Sequence, residues 1–235
     1  MQPNAATDII DISPLFSPRL AVFPGDEPIV REVKLDMKRG DNITLSALRA
    51  TVHLGSHADA PSHYGRDGRA IDEQPLDLYW GPCEVVQVRA GVRPPSGRVA
   101  RADLDVGPGW QPRFERLLIA TRSYSNPEQW DGSFLGLEPT LVDVLADRGV
   151  RLIGIDTPSV DTADSKNLPT HARFLARGVA IIEGLVLRTV TPGDFEFCGL
   201  PLRLEGFDGS PIRAALRPMR PMHEMHQMPA RSTPP

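Results

Sequence analysis

The strongest constraint on the fold of this 235-residue chain comes from two successive helix–strand units. In each unit, a helix begins at a proline and ends at a glycine, and a buried strand follows. The first unit spans residues 139–155 and the second spans residues 169–182. Proline at the first helical position and glycine just after the last one are the usual boundaries of a helix. Helices that alternate with apolar strands predict an α/β layered fold. We therefore expect one compact domain over residues 1–217, with a mixed sheet and flanking helices.

The individual elements follow from hydrophobic runs and from the residues that interrupt them. They are a helix from Pro139 to Gly149 with Leu141, Val144 and Leu145 on one face, a helix over 169–177, and strands over 43–53, 85–88, 117–120, 150–155 and 179–182. The proline-containing stretches 11–18 and 23–26 are expected to form loop or edge structure in a surface flap, since proline cannot join a central strand ladder.

Composition and charge exclude several classes of protein. The chain is 40% hydrophobic, and its net charge of −4 leaves no basic stripe for nucleic acid. No apolar run approaches the ~20 residues that a membrane span requires. The first eight residues lack the basic and apolar regions of a secretory signal. With only Cys83 and Cys198, the chain has no disulfide framework, and we expect a reduced, cytoplasmic protein.

The segment 218–235 differs from the rest of the chain. Methionine recurs there at every third position from 219 to 228, with His223 and His226 between and proline on both sides. Thioether and imidazole groups suit a soft metal such as copper. A disordered or partner-packing tail is the favoured interpretation, because proline-flanked terminal segments seldom fold alone.

Three histidines and an aspartate crowd one short segment. His53, His57, Asp59 and His63 fall within eleven residues, and imidazole nitrogen and carboxylate oxygen are the ligands that zinc and related divalent metals prefer. His53 and His57 have the spacing of a zincin helix. However, no glutamate follows His53, and the glycine and proline in the segment favour a loop, so a metalloprotease is excluded.

A second pair of candidate ligands lies downstream. Glu183 comes directly after the apolar run 179–182, where a buried charge without a partner costs several kcal/mol. A cation removes that cost, and His171 on the preceding helix can reach the same strand end. Each residue alone is weak evidence, because histidines are often merely hydrogen-bonded. Together the two groups predict a metal-dependent hydrolase.

Other nucleophiles find no support in the sequence. A serine hydrolase of the α/β type needs a Gly-x-Ser-x-Gly elbow. Gly132-Ser133 and Gly209-Ser210 lack the second glycine, and neither cysteine lies in a Cys/His signature.

The segment His53-x-Gly-Ser-His57-x-Asp59-Ala-Pro-x-His63-Tyr resembles the signature of the cyclase-like metal hydrolases. Similarity continues over nearly the whole chain, and within the family it is greatest to the bacterial kynurenine formamidases. The further matching segments are 11–14, 24–26, 81–83, 152–159, 165–166, 183–184 and 192–194.

The resemblance implies a swivelling β/β/α domain, a homodimer and a centre of two zinc ions. His53, His57 and Asp59 would hold the first ion, and Asp59 would bridge to a second held by His171 and Glu183. His63 would be the general acid/base, although a structural role or metal ligation in place of Asp59 remains open for it.

The implied reaction is hydrolysis of N-formyl-L-kynurenine, an aromatic formamide, to L-kynurenine and formate in tryptophan degradation. Phe23 stands where the family usually has a tryptophan that packs on the substrate's ring, so an aromatic platform is kept but the indole N–H donor is lost. The alternatives are hydrolysis of another aromatic amide such as isatin, with manganese in place of zinc, and a metal-binding homologue without turnover. All six site positions are present, which favours an enzyme.

Overall fold

The computed structural model describes residues 9–219, and one large sheet organises them. Its segment bounds are β1 Ile10–Asp11, β2 Val30–Leu35, β3 Leu45–Arg49, β4 His57–Asp59, α1 Pro61–Tyr64, β5 Trp80–Gln87, β6 Arg98–Val99, β7 Arg116–Ala120, β8 Gly136–Leu137, α2 Pro139–Ala146, β9 Leu152–Ile155, α3 Pro169–Arg177, β10 Ala180–Glu183, β11 Gly193–Cys198, β12 Gly209–Pro211 and β13 Ala215–Pro218. Apart from residues 218 and 219, the predicted tail lies outside the described residues.

Nine strands form the main sheet in the order β1-β13-β11-β5-β7-β9-β10-β4-β12. Its centre, β5-β7-β9-β10, is parallel, and the strands on both sides pair antiparallel. Helices α2 and α3 connect the parallel strands of the two units. The structure confirms the expected α/β class with a mixed sheet and flanking helices.

Side-chain alternation along the central strands divides the interior into two apolar cores. Leu118 and Ala120 of β7 pack in the first core, whereas Leu117 and Ile119 pack in the second. The second core also contains the buried faces of α2 and α3, whose buried apolar residues are Leu141, Val142, Leu145 and Phe174. Residues on the sheet face that contributes to the second core therefore lie on the same side of the sheet as α3.

Several predicted elements need correction. The extended segment 43–53 forms a strand only over Leu45–Arg49, so His53 lies in a loop four residues beyond it. On α2, Val142 and not Val144 joins Leu141 and Leu145 on the buried face, and Val144 is half-buried. Val142 lies beside Leu141 on the helix surface, and Leu145 lies one turn further along the same face. The strand predicted at 85–88 begins earlier, at Trp80.

The N-terminal segment is only partly a surface flap. Ile10 and Asp11 form an edge strand, as expected, but Ile12 and Leu20 are buried in the domain. By contrast, β2 and β3 form a separate two-stranded hairpin whose residues are mostly exposed. Among residues 9–219, no helix has the length and apolar character needed to cross a membrane.

Candidate metal centre

The pairing of β10 with β4 brings predicted ligands together directly. Glu183 lies opposite His57, and Ile181 lies opposite Asp59. Ala58, between the two ligands of β4, packs in the first core, so its neighbours project to the other side. Ile181 packs in the second core, and Glu183 follows it two residues later on the same face. All three polar side chains are therefore on the side that α3 covers.

His57 and Asp59 lie in a short strand, β4, and not in the loop that the sequence favoured, whereas His53 lies in a loop. Gly55 and Pro61 do exclude a continuous helix, but three residues between them pair with both β10 and β12. Beyond β4, Pro61 begins a one-turn helix, α1, that carries His63. A three-residue strand is too short for its alternation to be recognised in the sequence.

A close contact between two glycines fixes the turn ahead of β4. A Cβ on Gly184 would lie 2.0 Å from the carbonyl oxygen of Gly55, and Gly184 has φ +67°. Ser56 Oγ also donates a hydrogen bond to the Gly184 carbonyl at 2.8 Å. The absence of a side chain thus lets the residue after Glu183 pack directly on the histidine segment.

His171 reaches the centre from the first turn of α3. Asp161, which is fully buried, accepts hydrogen bonds from the backbone N–H groups of Thr170 and His171 at 3.2 and 3.0 Å. Its Oδ2 also lies 2.8 Å from His171 Nδ1, and its Oδ1 accepts from Arg98 at 2.6 Å. One carboxylate therefore anchors the helix and orients the imidazole, which leaves His171 Nε2 directed at the site.

The five predicted ligands form two overlapping groups. His53, His57 and Asp59 offer atoms that all lie within 4.8 Å of one another, and so do Asp59, His171 and Glu183. His57 Nε2 lies 3.4 Å from Asp59 Oδ1 and 3.3 Å from Glu183 Oε2. His171 Nε2 lies 3.5 Å from Asp59 Oδ2 and 3.5 Å from Glu183 Oε1. Asp59 is common to both groups.

The donor set fits a divalent metal. Asp59 Oδ2 is buried and has no hydrogen-bond partner among the described residues, a condition that costs about 1–3 kcal/mol in a neutral setting and more for a charge. The nitrogen atoms facing it are imidazole nitrogens, and the other oxygen donor is the buried Glu183. Nitrogen and carboxylate donors in this number suit zinc and manganese, so the residues present match the cation that the sequence predicted.

The electrostatics of the centre show that a positive charge is favoured there. Burial alone would lower the pKa of His57, but hydrogen bonds with Asp59 and Glu183 raise it to about 10. Burial would also lower the pKa of His171, but hydrogen bonds with Asp161, Asp59 and Glu183 raise it to about 12. Burial would raise the pKa of Asp59, yet the surrounding histidines hold it well below its ordinary value.

His63 stands beside these two groups and belongs to neither. It is one-third exposed, and its ring lies 4.0 Å from that of His53, centroid to centroid. Asp208 joins the two histidines, since its Oδ2 lies 3.3 Å from His63 Nδ1 and 3.0 Å from His53 Nε2. Asp208 enters the site because it directly precedes β12, the strand that pairs with β4.

A cavity of about 520 Å³ opens onto His53 and His57. Phe23 lines it, 39% exposed, and packs edge-on against Trp130 at 4.9 Å between ring centroids. Tyr124 and leucines from two loops complete an aromatic and aliphatic wall. The indole that the sequence lacks before Pro24 is thus supplied to the cavity by Trp130, from a loop more than 100 residues away.

The cavity lies at the carboxyl edge of the parallel strands. Asp156 follows β9, and its carboxylate accepts hydrogen bonds from Thr121 N, Thr121 Oγ1 and Arg122 N at 2.8, 2.7 and 2.9 Å, just after β7. Glu183 ends the next parallel strand. Ligand sites of open α/β sheets usually lie at this edge.

The sequence missed three residues of this region, namely Asp161, Asp208 and Trp130. Asp161 lies ten residues ahead of His171, which is the one signal that sequence offered, whereas Asp208 precedes a glycine and resembles an ordinary turn residue. Cys83 is buried in the first core, and burial raises the pKa of its thiol to about 12, so it is not a thiolate nucleophile at neutral pH.

Residues 10–162 match the model of the Cyclase family, described as “Putative cyclase”. This match covers more than half of the chain.

Solved structures of similar fold agree with this family match. A protein described as a potential metal-dependent hydrolase with cyclase activity has 25% identity and a TM-score of 0.72, over 91% of this chain and 98% of that one. A predicted metal-dependent hydrolase from Bacillus stearothermophilus has 27% identity and a TM-score of 0.69, over 88% and 97%. Isatin hydrolase A from Ralstonia solanacearum shares the fold at 21% identity, with a TM-score of 0.71 over 88% and 90%.

Proposed function

Since the chain belongs to the Cyclase family, we propose that it is a metal-dependent hydrolase that releases formate from an aryl formamide, with N-formyl-L-kynurenine as its substrate. One observation carries the proposal. A buried group of three histidines and two carboxylates opens onto a cavity with an aromatic wall. The metal-dependent hydrolases of similar structure support the reaction type.

In this proposal, His53, His57 and Asp59 hold one zinc ion, and Asp59, His171 and Glu183 hold a second, with manganese as the alternative metal. When bound, the metals supply Lewis-acid polarisation of the carbonyl and lower the pKa of water toward about 7. The protein's contribution is to fix the ligands. Asp161 orients His171, and the carbonyl oxygen of Gly55 lies 2.9 Å from His57 Nδ1, which leaves Nε2 of each ring for ligation.

The wall of the cavity positions the substrate. The aryl ring would pack on Phe23 and Trp130, whose edge-on contact holds both rings in place. This arrangement directs the formyl group toward His53 and His57, which line the same cavity. A neutral aromatic ring gains affinity from the apolar wall, and its fixed orientation reduces the entropy cost of reaching the transition state.

His63 moves the proton in this mechanism. Asp208 faces its Nδ1, so the neutral ring carries a proton there and leaves Nε2 free. Nε2 accepts a proton from the water whose oxygen bonds to the formyl carbon. It then donates that proton to the aniline nitrogen as the C–N bond breaks, which yields formate and the free amine.

We further propose a cytoplasmic homodimer. Both cysteines are unpaired, which is consistent with a reducing compartment. The hairpin of β2 and β3 exposes Val33, Leu45 and Leu48, and an isolated two-stranded hairpin is only marginally stable without a partner.

The test is formate release from N-formyl-L-kynurenine by the zinc-loaded full chain, with isatin as a second substrate. We expect turnover that chelation abolishes and that His63→Ala lowers by about 10²–10⁴-fold, the usual contribution of general acid/base catalysis. Metal analysis of the His63→Ala protein is the control, because a catalytic role requires its zinc content to be unchanged. Hydrolysis of isatin alone would reject the formamide substrate, and full activity of the variant would reject the role of His63.

A further inference from the structure

Two arginines at the substrate cavity carry guanidinium groups that pair with no side chain or carbonyl group of the described residues. Arg122 and Arg188 both line the cavity and are exposed. Within residues 9–219, neither guanidinium forms a hydrogen bond or an ion pair with the protein. The other arginine near this cavity, Arg19, is engaged, since its Nε donates to Glu128 Oε1 at 2.9 Å. Unpaired guanidinium groups beside an apolar wall are available to a ligand.

The carboxylates that line the same cavity are already engaged. Glu128 accepts from Arg19, and Asp156 accepts the three hydrogen bonds from Thr121 and Arg122 described above. Asp156 turns both oxygens to donors of Thr121 and Arg122, and its Oδ1 accepts two of these three hydrogen bonds. Outside the metal centre, the two guanidinium groups therefore outnumber the carboxylate of Asp156, which has no ion-pair partner among the described residues.

The backbone of Arg122 supports a role in binding. It has φ +56°, in the left-handed region that residues other than glycine seldom adopt. Asp156 holds it there through the Arg122 N–H. Such backbone strain is concentrated where a side chain must be placed for function.

We propose that Arg122 and Arg188 bind the carboxylate of the substrate, so that the cavity selects aromatic amides that carry a carboxylate over those that do not. The inference rests on the proposed function, because it names the substrate class of the same site. A guanidinium binds a carboxylate through two parallel hydrogen bonds, a geometry that an exposed lysine cannot offer. With the ring on Phe23 and Trp130, the substrate is held at its charged group, its ring and its amide.

Binding of a matched pair of small aromatics tests this without requiring turnover. The probes are anthranilate and its neutral isostere anthranilamide, measured by calorimetry with the zinc-loaded full chain. The variants are Arg122→Gln, Arg188→Gln and the double variant. Arg217→Gln is the control, since Arg217 of β13 pairs with Glu196 of β11 and does not line the cavity.

We expect anthranilate to bind the parent protein about tenfold more tightly than anthranilamide. Each single variant should bind anthranilate about three- to tenfold more weakly than the parent does, with no change in its affinity for anthranilamide. The Arg217→Gln protein should bind as the parent does. Equal affinity of the parent for both probes would overturn the inference. So would a preference that persists in the double variant, because the carboxylate would then lie on the metals.

Formate release from N-formyl-L-kynurenine and from its methyl ester, measured with the same proteins, separates the inference from the proposed function. Loss of the preference for the acid over the ester in the double variant supports the inference. If no formamide is hydrolysed but the anthranilate preference depends on the two arginines, the proposed function fails and the anion site stands.

Discussion

Asp59 and Glu183 explain why a metal, more than any other ligand, suits the buried centre. Both carboxylates are almost completely inaccessible to solvent, and they face the imidazoles of His57 and His171 across 3.3–3.5 Å. Without a metal, protons on the two imidazoles compensate the negative charge. A divalent ion would replace those protons and would give a partner to Asp59 Oδ2, which has none among the described residues.

Metal binding should therefore release protons. Because hydrogen bonds with the carboxylates raise the pKa of His57 to about 10 and that of His171 to about 12 against the opposing effect of burial, both rings are protonated at pH 7 in the metal-free protein. The proton and the metal compete for the same nitrogen, so zinc affinity should fall as the pH is lowered.

Calorimetric titration of zinc at pH 7 in two buffers of different ionisation enthalpy measures the effect. We expect the observed heat to differ between buffers by an amount equal to at least one proton released per chain. A heat that is independent of the buffer would contradict the protonated state of the two rings.

The structure brings together the five residues that the sequence proposed as ligands, but the sequence did not identify the residues that hydrogen-bond to them. His53, His57 and Asp59 are close in sequence, and Glu183 is conspicuous as a charge after four apolar residues. Such signals are local. Asp208 lies 145 residues from His63 and meets it only through the pairing of β12 with β4, which no local pattern encodes.

Among the elements, α3 depends most on a single side chain. Asp161 accepts the N–H groups of Thr170 and His171 in the first turn of this helix and the guanidinium of Arg98. Leu168, immediately before the helix, has φ +43°, a conformation that the rest of the structure must stabilise. The position of His171 therefore depends on how the entry to α3 is held.

Replacement of Asp161 by asparagine should destabilise the protein and weaken metal binding together. The change removes the charge that pairs with Arg98 and converts one of the two acceptor oxygens that hold Arg98, Thr170 and His171 into an NH2 donor, which should cost about 2–4 kcal/mol. Denaturant unfolding and zinc titration measure the two effects. Asp164→Asn is the matched control, since Asp164 is exposed in the same loop. Parent-like zinc affinity in the Asp161→Asn protein would show that Asp161 does not position the ligand.

The elements that the sequence located best are those of the two helix–strand units, where proline, glycine and long apolar runs agree. The helix over 169–177 is confirmed at both ends, and the strand at 117–120 is one residue longer. The sequence did not predict strand β4, because three residues are too few to show the alternation of apolar and polar side chains that is typical of a strand. The strand forms through pairing with β10 on one side and β12 on the other. Tertiary pairing, not local propensity, determines the strand that carries His57 and Asp59.

The whole molecule combines a closed domain with one exposed appendage. Strands β1 and β4–β13 form or pack on the two cores, whereas the hairpin of β2 and β3 pairs only with itself. The apolar and β-branched residues at 43–53 predict extended structure. They do not predict its exposure, because Ile43, Leu45 and Leu48 are residues typical of a buried strand. A partner surface has that same composition, so the pattern alone does not distinguish a core from an interface.

The hairpin provides the test of the proposed homodimer. Leu48 is 66% exposed on β3, opposite Arg31, and Val33 and Leu45 on the same hairpin are also exposed. We expect the full chain to be a dimer by light scattering after size-exclusion chromatography, and Leu48→Glu to shift it toward the monomer, because association would remove a carboxylate from water. Leu76→Glu is the control, since Leu76 is 61% exposed but lies outside the hairpin. A monomeric parent, or dissociation by both variants alike, would show that the hairpin is not the contact between subunits.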